Sequence, residues 1–385
     1  MKALFYAYIR GGATCPLGIP RLRSHPLNLI RLIPAEGAMS KARNGRCLGR
    51  ILPYTALSIL LSCAFAWQLA AEGVPDDKSL VVYTYDSFVS EWGAGPKIAP
   101  LFEKATGIKV KFLSKGDGGA LLSAIMLEKD SEADIVLGLD NFLEPKALAT
   151  ELFRTYEPKG YSSLPASLKV DGTKRLIPYD YGDFAIVWDS AKLSNPPASL
   201  EDLTRPEYAK KLILLDPRTS TPGLGFLAWT KAVYGSAWKD YWKRLRPSVL
   251  TLSPSWDQGY GLFTSGEAPL VLSYATDGAY NLENEKTERF KALDFKEGLA
   301  QQIETAGILA KAKHPKNAEL FMDFLISEAC QKEIPLTQWM YPVLSSVKLP
   351  ESYRAALKPA KTLSIDPTGL TDDAIVAVDI LVSAK

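Results

Sequence analysis

Hydrophobic residues over most of the chain fall into short runs that alternate with longer amphipathic stretches. The runs at 80–85, 110–113 and 133–138 are rich in Val, Ile, Leu and aromatic residues, a composition that favours buried β-strands. Apolar residues at helical spacing follow the first two runs and predict helices over 94–105 and 118–128. Strands that alternate with helices in this way are typical of an α/β fold with a doubly wound sheet.

The middle of the chain continues this alternation after one long extended segment at 176–188. The elements predicted next are a strand at 212–215, a helix at 222–234, a strand at 249–253, a helix at 255–265 and a strand at 270–274. A returning strand over 299–309 and an amphipathic helix over 315–328 follow them.

The segments on either side of this middle block each look incomplete as a sheet. We therefore predict a two-lobed α/β fold in which lobe 1 is discontinuous, from 78–181 and 291–385, and lobe 2 is the insertion 182–290. Each lobe would hold a doubly wound sheet, and two crossing segments would form the hinge. Ligands of such sheets bind beyond the carboxyl ends of the strands, so we expect a site in the cleft between the lobes.

The N-terminus has the pattern of an export signal. Four basic residues precede the uncharged run 51–66, which ends in Ala-Phe-Ala and is short for a membrane span. We predict a signal peptide over 39–71, export to the periplasm, and a mis-called upstream extension over 1–38. Residues 60–63 resemble a lipobox, but the apolar sequence after them favours simple cleavage over lipid anchoring at Cys63.

The charge of the predicted exported body differs from that of the whole chain. The chain has 45 Lys or Arg and 43 Asp or Glu, and residues 1–71 carry nine of those bases and one acid, leaving 36 bases against 42 acids. A net charge of that sign gives no electrostatic footprint for nucleic acid and suits a cationic ligand.

Cysteine and histidine are too few in the exported body for several kinds of chemistry. Only Cys330 and His314 lie after residue 71, so neither an internal disulfide nor a Cys/His zinc site can form there. His314 precedes Pro315 at a predicted helix start, where we expect a solvated loop residue rather than a catalytic base. These counts favour a binding protein without catalytic residues or a metal.

Polar and aromatic residues cluster at the ends of the predicted strands. The clusters are 85–88, 115–119, 139–141, 216–225 and 274–277, with Trp92, Trp256, Trp339 and Tyr341 nearby. Each residue alone has a commoner role, since aromatic residues usually pack in cores and an Asp after a strand usually caps a helix. Their combination at the strand ends favours a binding site.

The segment DPRTSTPGLG (216–225) places three consecutive hydroxyls before a predicted helix. Thr221 and Pro222 form a favourable N-cap and first-turn pair, which leaves Thr219 and Ser220 without a capping role. Hydroxyls and backbone N–H groups at a helix N-terminus can hold an anion or a hydroxyl, while carboxylates and aromatic faces attract a flat cation. Arg218 could add positive charge or pair with Asp216. The cleft therefore suits an aromatic cation with a hydroxyl or phosphate tail.

Seven segments together resemble the periplasmic thiamine-binding proteins of bacterial ABC importers, and the resemblance covers about 80–365. The segments are VYTYDSF (82–88), EWGAGP (91–96), ADIVLGLDN (133–141), PYDYGDFA (178–185), DPRTSTPGLG, YGLFTSGEAPLVLSY (260–274) and QWMYPV (338–343). The resemblance implies the two-lobed type II fold of periplasmic binding proteins. It departs from the family at Ala275 and Asp277, where small hydroxyl residues are expected, and from about Gly369, where a Trp-bearing terminal helix is missing.

The resemblance also implies a function and a set of contacts. Thiamine, thiamine phosphate or thiamine diphosphate would be captured as transported ligand, not as cofactor, and delivered to an ABC permease with its ATPase subunit by a monomeric receptor. Ser220 and Thr221 would hold the hydroxyl or phosphate end, and aromatic residues would flank the rings. The ligand-binding residues implied are Tyr85, Trp92, Asp117, Gly118, Ser220, Thr221, Trp256, Tyr274, Ala275, Thr276, Asp277 and Trp339.

Two alternatives come from other classes of protein. A thiaminase-like enzyme would need a nucleophilic cysteine, and the one candidate, Cys330, lies in an amphipathic helix away from the strand ends. A binding protein for another organic cation or for iron is the second alternative, and Tyr179 and Tyr181 could supply the tyrosine pair that iron favours.

Overall fold

The computed structural model describes residues 78–383, so the predicted signal peptide, the upstream extension and Cys63 lie outside the described residues. Eleven strands are present in this part of the chain: β1 (Ser79–Thr84), β2 (Lys109–Ser114), β3 (Ile135–Asp140), β4 (Ile177–Asp189), β5 (Leu212–Leu215), β6 (Val249–Ser253), β7 (Leu270–Tyr274), β8 (Phe290–Ala292), β9 (Leu299–Ile308), β10 (Tyr341–Pro342) and β11 (Thr362–Leu363). The eight strand segments predicted from sequence all occur, within two residues at each end.

Twelve α-helices alternate with these strands in residues 78–383. They are α1 (Asp86–Val89), α2 (Gly95–Thr106), α3 (Gly118–Leu127), α4 (Glu144–Leu148), α5 (Thr221–Tyr234), α6 (Trp238–Leu245), α7 (Trp256–Ser265), α8 (Asp277–Tyr280), α9 (Pro315–Leu325), α10 (Glu328–Gln331), α11 (Ile334–Thr337) and α12 (Leu370–Val382). None of the described helices is both long and apolar enough to cross a bilayer.

The strands hydrogen-bond in the order β2-β1-β3-β9-β4-β7-β5-β6, with β8 and β10 added to β4 and β11 added to β9. The pairs β2-β1 and β1-β3 are parallel, as are β7-β5 and β5-β6, whereas β9 is antiparallel to both β3 and β4. Two parallel groups therefore lie on opposite sides of a central antiparallel pair. This is the arrangement expected for two doubly wound sheets.

Strand β4 passes from one sheet to the other. Its first half, from Ile177 to Asp183, pairs with β9, and its second half, from Phe184 to Trp188, pairs with β7. The change of partner falls next to Gly182, where a Cβ atom would meet the Met340 sulfur at 2.8 Å. The long extended segment read from the sequence is thus a single strand shared by the two groups.

Two large apolar cores support the strands. Leu80 and Val82 of β1 pack with Ile98 and Phe102 of α2 and with Phe321 of α9, whose ring lies 5.2 Å from that of Phe102. The other core gathers the fully buried Trp229 and Trp242 with strands of both groups, and the Trp242 indole donates to Thr230 Oγ1 at 2.8 Å. This second core is therefore continuous from one strand group to the other.

The terminal helix α12 bears on the predicted lobe limits. It packs against α5 and α6, and Lys231 of α5 forms an ion pair with Asp373. Both α5 and α6 belong to the segment 182–290, whereas the sequence analysis assigned 291–385 to lobe 1. The lobe limits stay a prediction, and this packing argues for grouping α12 with lobe 2.

Two local expectations were wrong. Asp140 is the last residue of β3 and does not follow the strand, and the next helix begins only at Glu144. His314 is not a solvated loop residue, because its side chain is only 12% exposed and its Nδ1 lies 3.0 Å from Oδ2 of the fully buried Asp134. The pair fixes the start of α9 against the sheet, a contact with no local signal in the sequence.

A substitution at Gly223 can test how closely α5 packs against β5. A Cβ atom there would lie 2.5 Å from the Leu215 carbonyl oxygen, and backbone cannot yield as a side chain can. We expect Gly223→Ala to lower the free energy of unfolding by about 1–3 kcal/mol. Gly261→Ala is the matched control, because nothing lies within 4 Å of its Cβ and alanine favours the helix by about 0.5–1 kcal/mol. Chemical denaturation measures both, and equal effects would contradict the packing described.

Candidate ligand-binding site

A cavity of about 320 Å³ opens where the ends of the two strand groups face each other. That volume lies at the lower end of the range for small-molecule sites. Its lining comes from both predicted lobes. Nine of the twelve residues implied by the resemblance line it: Tyr85, Trp92, Asp117, Thr221, Trp256, Tyr274, Thr276, Asp277 and Trp339.

The other three implied residues lie behind the lining. Gly118 is the first residue of α3 and packs against the Thr221 methyl group. Ser220 is 1% exposed and forms the N-cap position of α5, whereas Thr221 begins the helix itself. Ala275 has no exposed surface, and its backbone N–H donates to the Asp183 carbonyl at 2.8 Å. Direct contact with a ligand stays a prediction for all twelve.

The segment DPRTSTPGLG is held in place by its own side chains. Arg218 pairs with Asp216 through Nε at 3.0 Å and Nη2 at 2.7 Å, so its charge is used within the loop. Thr219 Oγ1 donates to the Pro254 carbonyl at 2.7 Å. The buried Ser220 Oγ has no hydrogen-bond partner, and Thr221 lines the cavity. Of the three hydroxyls, one is structural and two stand at the cavity end of α5.

The start of α3 is in direct contact with the start of α5 at one side of the cavity. Asp117 caps α3 by accepting the Gly118 N–H at 2.9 Å, and the Ala120 N–H donates to the Thr219 carbonyl at 3.2 Å. This approach requires glycine at 118 and 119, since a Cβ on Gly119 would lie 2.8 Å from the Arg218 carbonyl oxygen. Burial raises the pKa of Asp117, while the nearby Ser220 hydroxyl lowers it.

Aromatic rings form most of the cavity walls. Trp256 stacks on Tyr260 with ring centroids 4.9 Å apart, and Trp92 approaches its edge at 6.2 Å from the facing strand group. Tyr280 meets Trp339 edge-to-face at 5.3 Å. Trp339 has a φ of 58°, which is a strained backbone conformation for a bulky residue. Strain of this kind is found at functional sites, where the surrounding structure maintains it.

A short hydrogen-bond chain fixes the central indole. Trp256 Nε1 donates to Ser273 Oγ at 2.9 Å, and Ser273 Oγ donates to Asp277 Oδ1 at 3.0 Å. Burial raises the pKa of Asp277 to about 7, and burial together with the charge of Asp86 raises the pKa of Asp257 to about 6. Asp277 Oδ1 therefore positions the indole, while Oδ2 is buried and has no hydrogen-bond partner.

The lining is acidic. Asp117, Asp257, Asp277 and Glu304 face the cavity, and none of the described lining residues is Lys, Arg or His. Carboxylates and aromatic faces both attract cations, and the attraction is strongest where water is excluded. The cavity can therefore hold a flat cation by stacking and by charge.

Several lining residues lie outside the implied set. They are Ser87, Pro222, Asp257, Tyr260, Gly261, Tyr280, Glu304, Gln338 and Met340. Asp257 and Tyr260 face the cavity because they follow Trp256 in the first turns of α7, a spacing that the sequence displays. Glu304 could have been noticed as a single carboxylate in the middle of a buried strand. It was missed because the search considered only residues at strand ends.

The residues on which the thiaminase-like and iron-binding alternatives depend do not form a second site. Cys330 is the one described cysteine, is fully buried and does not line the cavity, and burial raises the pKa of its thiol. Tyr179 donates to Glu304 at 2.9 Å, while Tyr181 stacks on Tyr341. Within residues 78–383 no cluster of three or more His, Cys, Asp or Glu side chains is arranged to hold a metal.

Comparison with known proteins agrees with this geometry. Residues 130–365 match the family described as bacterial extracellular solute-binding protein. The chain is 46% identical over 317 residues to the thiamine-binding periplasmic protein of Brucella abortus biovar 1 (strain 9-941), covering 81% of this chain and 93% of that protein. It is 42% identical over 290 residues to the thiamine-binding periplasmic protein of Escherichia coli (strain K12), covering 75% and 88%.

A solved structure extends the comparison to the fold. A periplasmic thiamin binding protein superposes with a TM-score of 0.72 at 39% identity, covering 79% of this chain and 95% of its own. This match and the shared strand β4 confirm the two-lobed type II fold. The chain belongs to the bacterial extracellular solute-binding protein family.

Proposed function

We propose that this protein is the thiamine-capturing component of an ABC importer. It would bind thiamine, thiamine phosphate or thiamine diphosphate in the cavity and deliver it to the permease, which works with an ATPase subunit. The observation that carries the proposal is a lining of seven aromatic and four acidic side chains with no basic one among the described residues. Thiamine offers the complementary chemistry, a flat thiazolium cation joined to an aminopyrimidine ring.

The lining also suggests an order among the three ligands. A phosphate at neutral pH is usually held by Arg or Lys, and the described lining has neither. The groups that remain for the tail are the Thr221 hydroxyl, the Ser220 hydroxyl behind it and the N-terminus of α5. We therefore propose that thiamine binds most tightly, with the phosphate esters held through the helix N-terminus.

The cellular setting follows from the same proposal. Relatives named as periplasmic support a receptor exported by the predicted signal peptide and acting in the periplasm as a monomer. No cofactor and no catalysis are proposed. Another organic cation is the second candidate ligand, since stacking and carboxylates recognise charge and shape rather than a unique molecule.

Calorimetric titration of the ligand-free protein tests the proposal. Thiamine, thiamine phosphate and thiamine diphosphate are compared with choline, spermidine and Fe³⁺ under the same conditions. We expect the three thiamine compounds to bind more tightly than the other cations and thiamine to lead. Tighter binding of choline, spermidine or Fe³⁺ would contradict the proposal, and tighter binding of either ester would contradict only the order.

Trp256→Ala should weaken thiamine binding by about tenfold or more, the scale of one lost cation–π and stacking contact. Cys330→Ala should leave the affinity as it is, because the thiol lies outside the cavity. Calorimetry of both variants, with thermal unfolding as the check on folding, measures the difference. Loss of binding with Cys330→Ala alone would contradict the assignment of this cavity as the binding site.

Thiamine affinity should fall as the pH is lowered from about 8 to about 6. Asp277 and Asp257 have raised pKa values of about 7 and about 6, so they take up protons in this range and lose the charge that attracts the cation. We expect a decrease of about tenfold. The thiophene analogue of thiamine, which keeps the aminopyrimidine but has no ring charge, is the control and should show a much flatter profile. Parallel profiles would exclude carboxylate titration as the cause.

A further inference from the structure

Glu304 occupies the centre of a row of three carboxylates. In the antiparallel register of β9, it lies opposite Asp140 of β3 on one side and opposite Asp180 of β4 on the other. Asp140 and Asp180 have no exposed surface, and Glu304 is 6% exposed. Of these three side chains only Glu304 lines the cavity.

No basic side chain compensates this row. Within residues 78–383, none of the ion pairs involves Asp140, Asp180 or Glu304. A buried carboxylate without a counter-charge lowers the stability of the folded protein. Such a group is therefore either protonated or paired with a cation. The hydrogen bonds around each carboxylate show which of the three is best arranged to carry a charge.

Asp140 is engaged in the local structure. Its Oδ1 accepts the N–H groups of Phe142 and Leu143 at 3.0 Å, and its Oδ2 accepts Gln302 Nε2 at 3.1 Å. These bonds shape the turn after β3 and leave no oxygen directed to the cavity. Burial raises the pKa of Asp140 to about 7, so this carboxyl carries only part of a charge at neutral pH.

Asp180 and Glu304 differ in their hydrogen bonds. Both Asp180 oxygens lack a hydrogen-bond partner, and burial together with the charge of Glu304 raises the pKa of this carboxyl well above its usual range. Glu304 Oε2 receives the hydroxyls of Tyr85 and Tyr179, each at 2.9 Å. Burial raises the pKa of Glu304, while hydrogen bonds from these hydroxyls lower it. Hydrogen bonds that favour the charged form are therefore made to Glu304 and not to Asp180.

We propose that Glu304 is the fixed anion that makes the cavity select a positively charged ring over a neutral ring of the same shape. The inference rests on the proposed function and names the residue that distinguishes a positively charged ligand from a neutral one. Asp180 and Tyr179 act as positioning residues behind Glu304, and Tyr85 both lines the cavity and orients the carboxylate. Gln338 contacts the Tyr85 hydroxyl, which connects Glu304 to the strained Trp339 segment.

The other lining acids are less suited to this role. One oxygen of Asp117 caps α3, and one oxygen of Asp277 holds the Ser273–Trp256 chain. Asp257 is half-buried and lies in the first turn of α7. Asp117 also faces Glu304 closely enough to raise the pKa of the glutamate. The charge on Glu304 is thus influenced by Tyr179 and Asp180 of β4, by Tyr85 just after β1 and by Asp117 just before α3.

The test compares thiamine with its thiophene analogue, which is neutral but nearly identical in shape, in wild type and Glu304→Gln. Glutamine keeps the size of the side chain and an oxygen that accepts the two tyrosine hydroxyls. We expect calorimetry to show thiamine affinity reduced at least about tenfold in the variant, with affinity for the analogue equal or higher. The wild-type preference for thiamine would then fall towards unity.

Two further variants make the outcome decisive. Glu207→Gln removes the same charge from an exposed position and should keep the wild-type preference. Tyr179→Phe removes one hydroxyl from Glu304 without altering the lining, and should lower the preference about threefold or more even if Glu304→Gln does not fold. A wild-type preference retained in any folded Glu304→Gln or Tyr179→Phe protein overturns the inference. Failure of wild type to bind thiamine contradicts instead the proposed function itself.

Discussion

Four carboxylate side chains face a cavity that seven aromatic side chains also line, and the described lining contains no basic side chain to offset the acids. Unpaired charge in such surroundings is destabilising, and the protein reduces it by keeping some carboxyls protonated. A cationic ligand removes the same cost by direct pairing. Part of the energetic gain on binding therefore comes from neutralising this unpaired charge, and the aromatic rings add contact area to it.

This arrangement depends on the strands that join the two sheets. β9 holds Glu304 between β3 and β4, and β4 continues from that pairing into the second sheet. The acidic row thus sits beside the point where one strand changes partners. Tyr274, at the end of β7, reaches back to Gln302 of β9 with a hydrogen bond of 2.9 Å. Polar contacts from both sheets consequently converge behind one wall of the cavity.

Sequence periodicity was sufficient to locate the main strands because their apolar runs alternate with amphipathic helices along most of the described chain. The rule that ligands bind beyond strand ends located Trp256, Tyr274 and Asp277. It could not find Glu304, which lies within a strand, or distinguish Ala275, whose neighbours line the cavity while it packs inside. The packing of α12 on α5 and the contact of His314 with Asp134 join residues far apart in the chain, and no local pattern encodes either.

The paired glycines at the start of α3 have a steric consequence. A Cβ atom on Gly119 would meet the backbone of Arg218 and Thr219, and one on Gly118 would meet the Thr221 methyl group and the Gly138 carbonyl oxygen. Any larger residue at either position would therefore have to displace α3 from the segment that precedes α5. The spacing between two walls of the cavity is thus set by two residues that have no side chain.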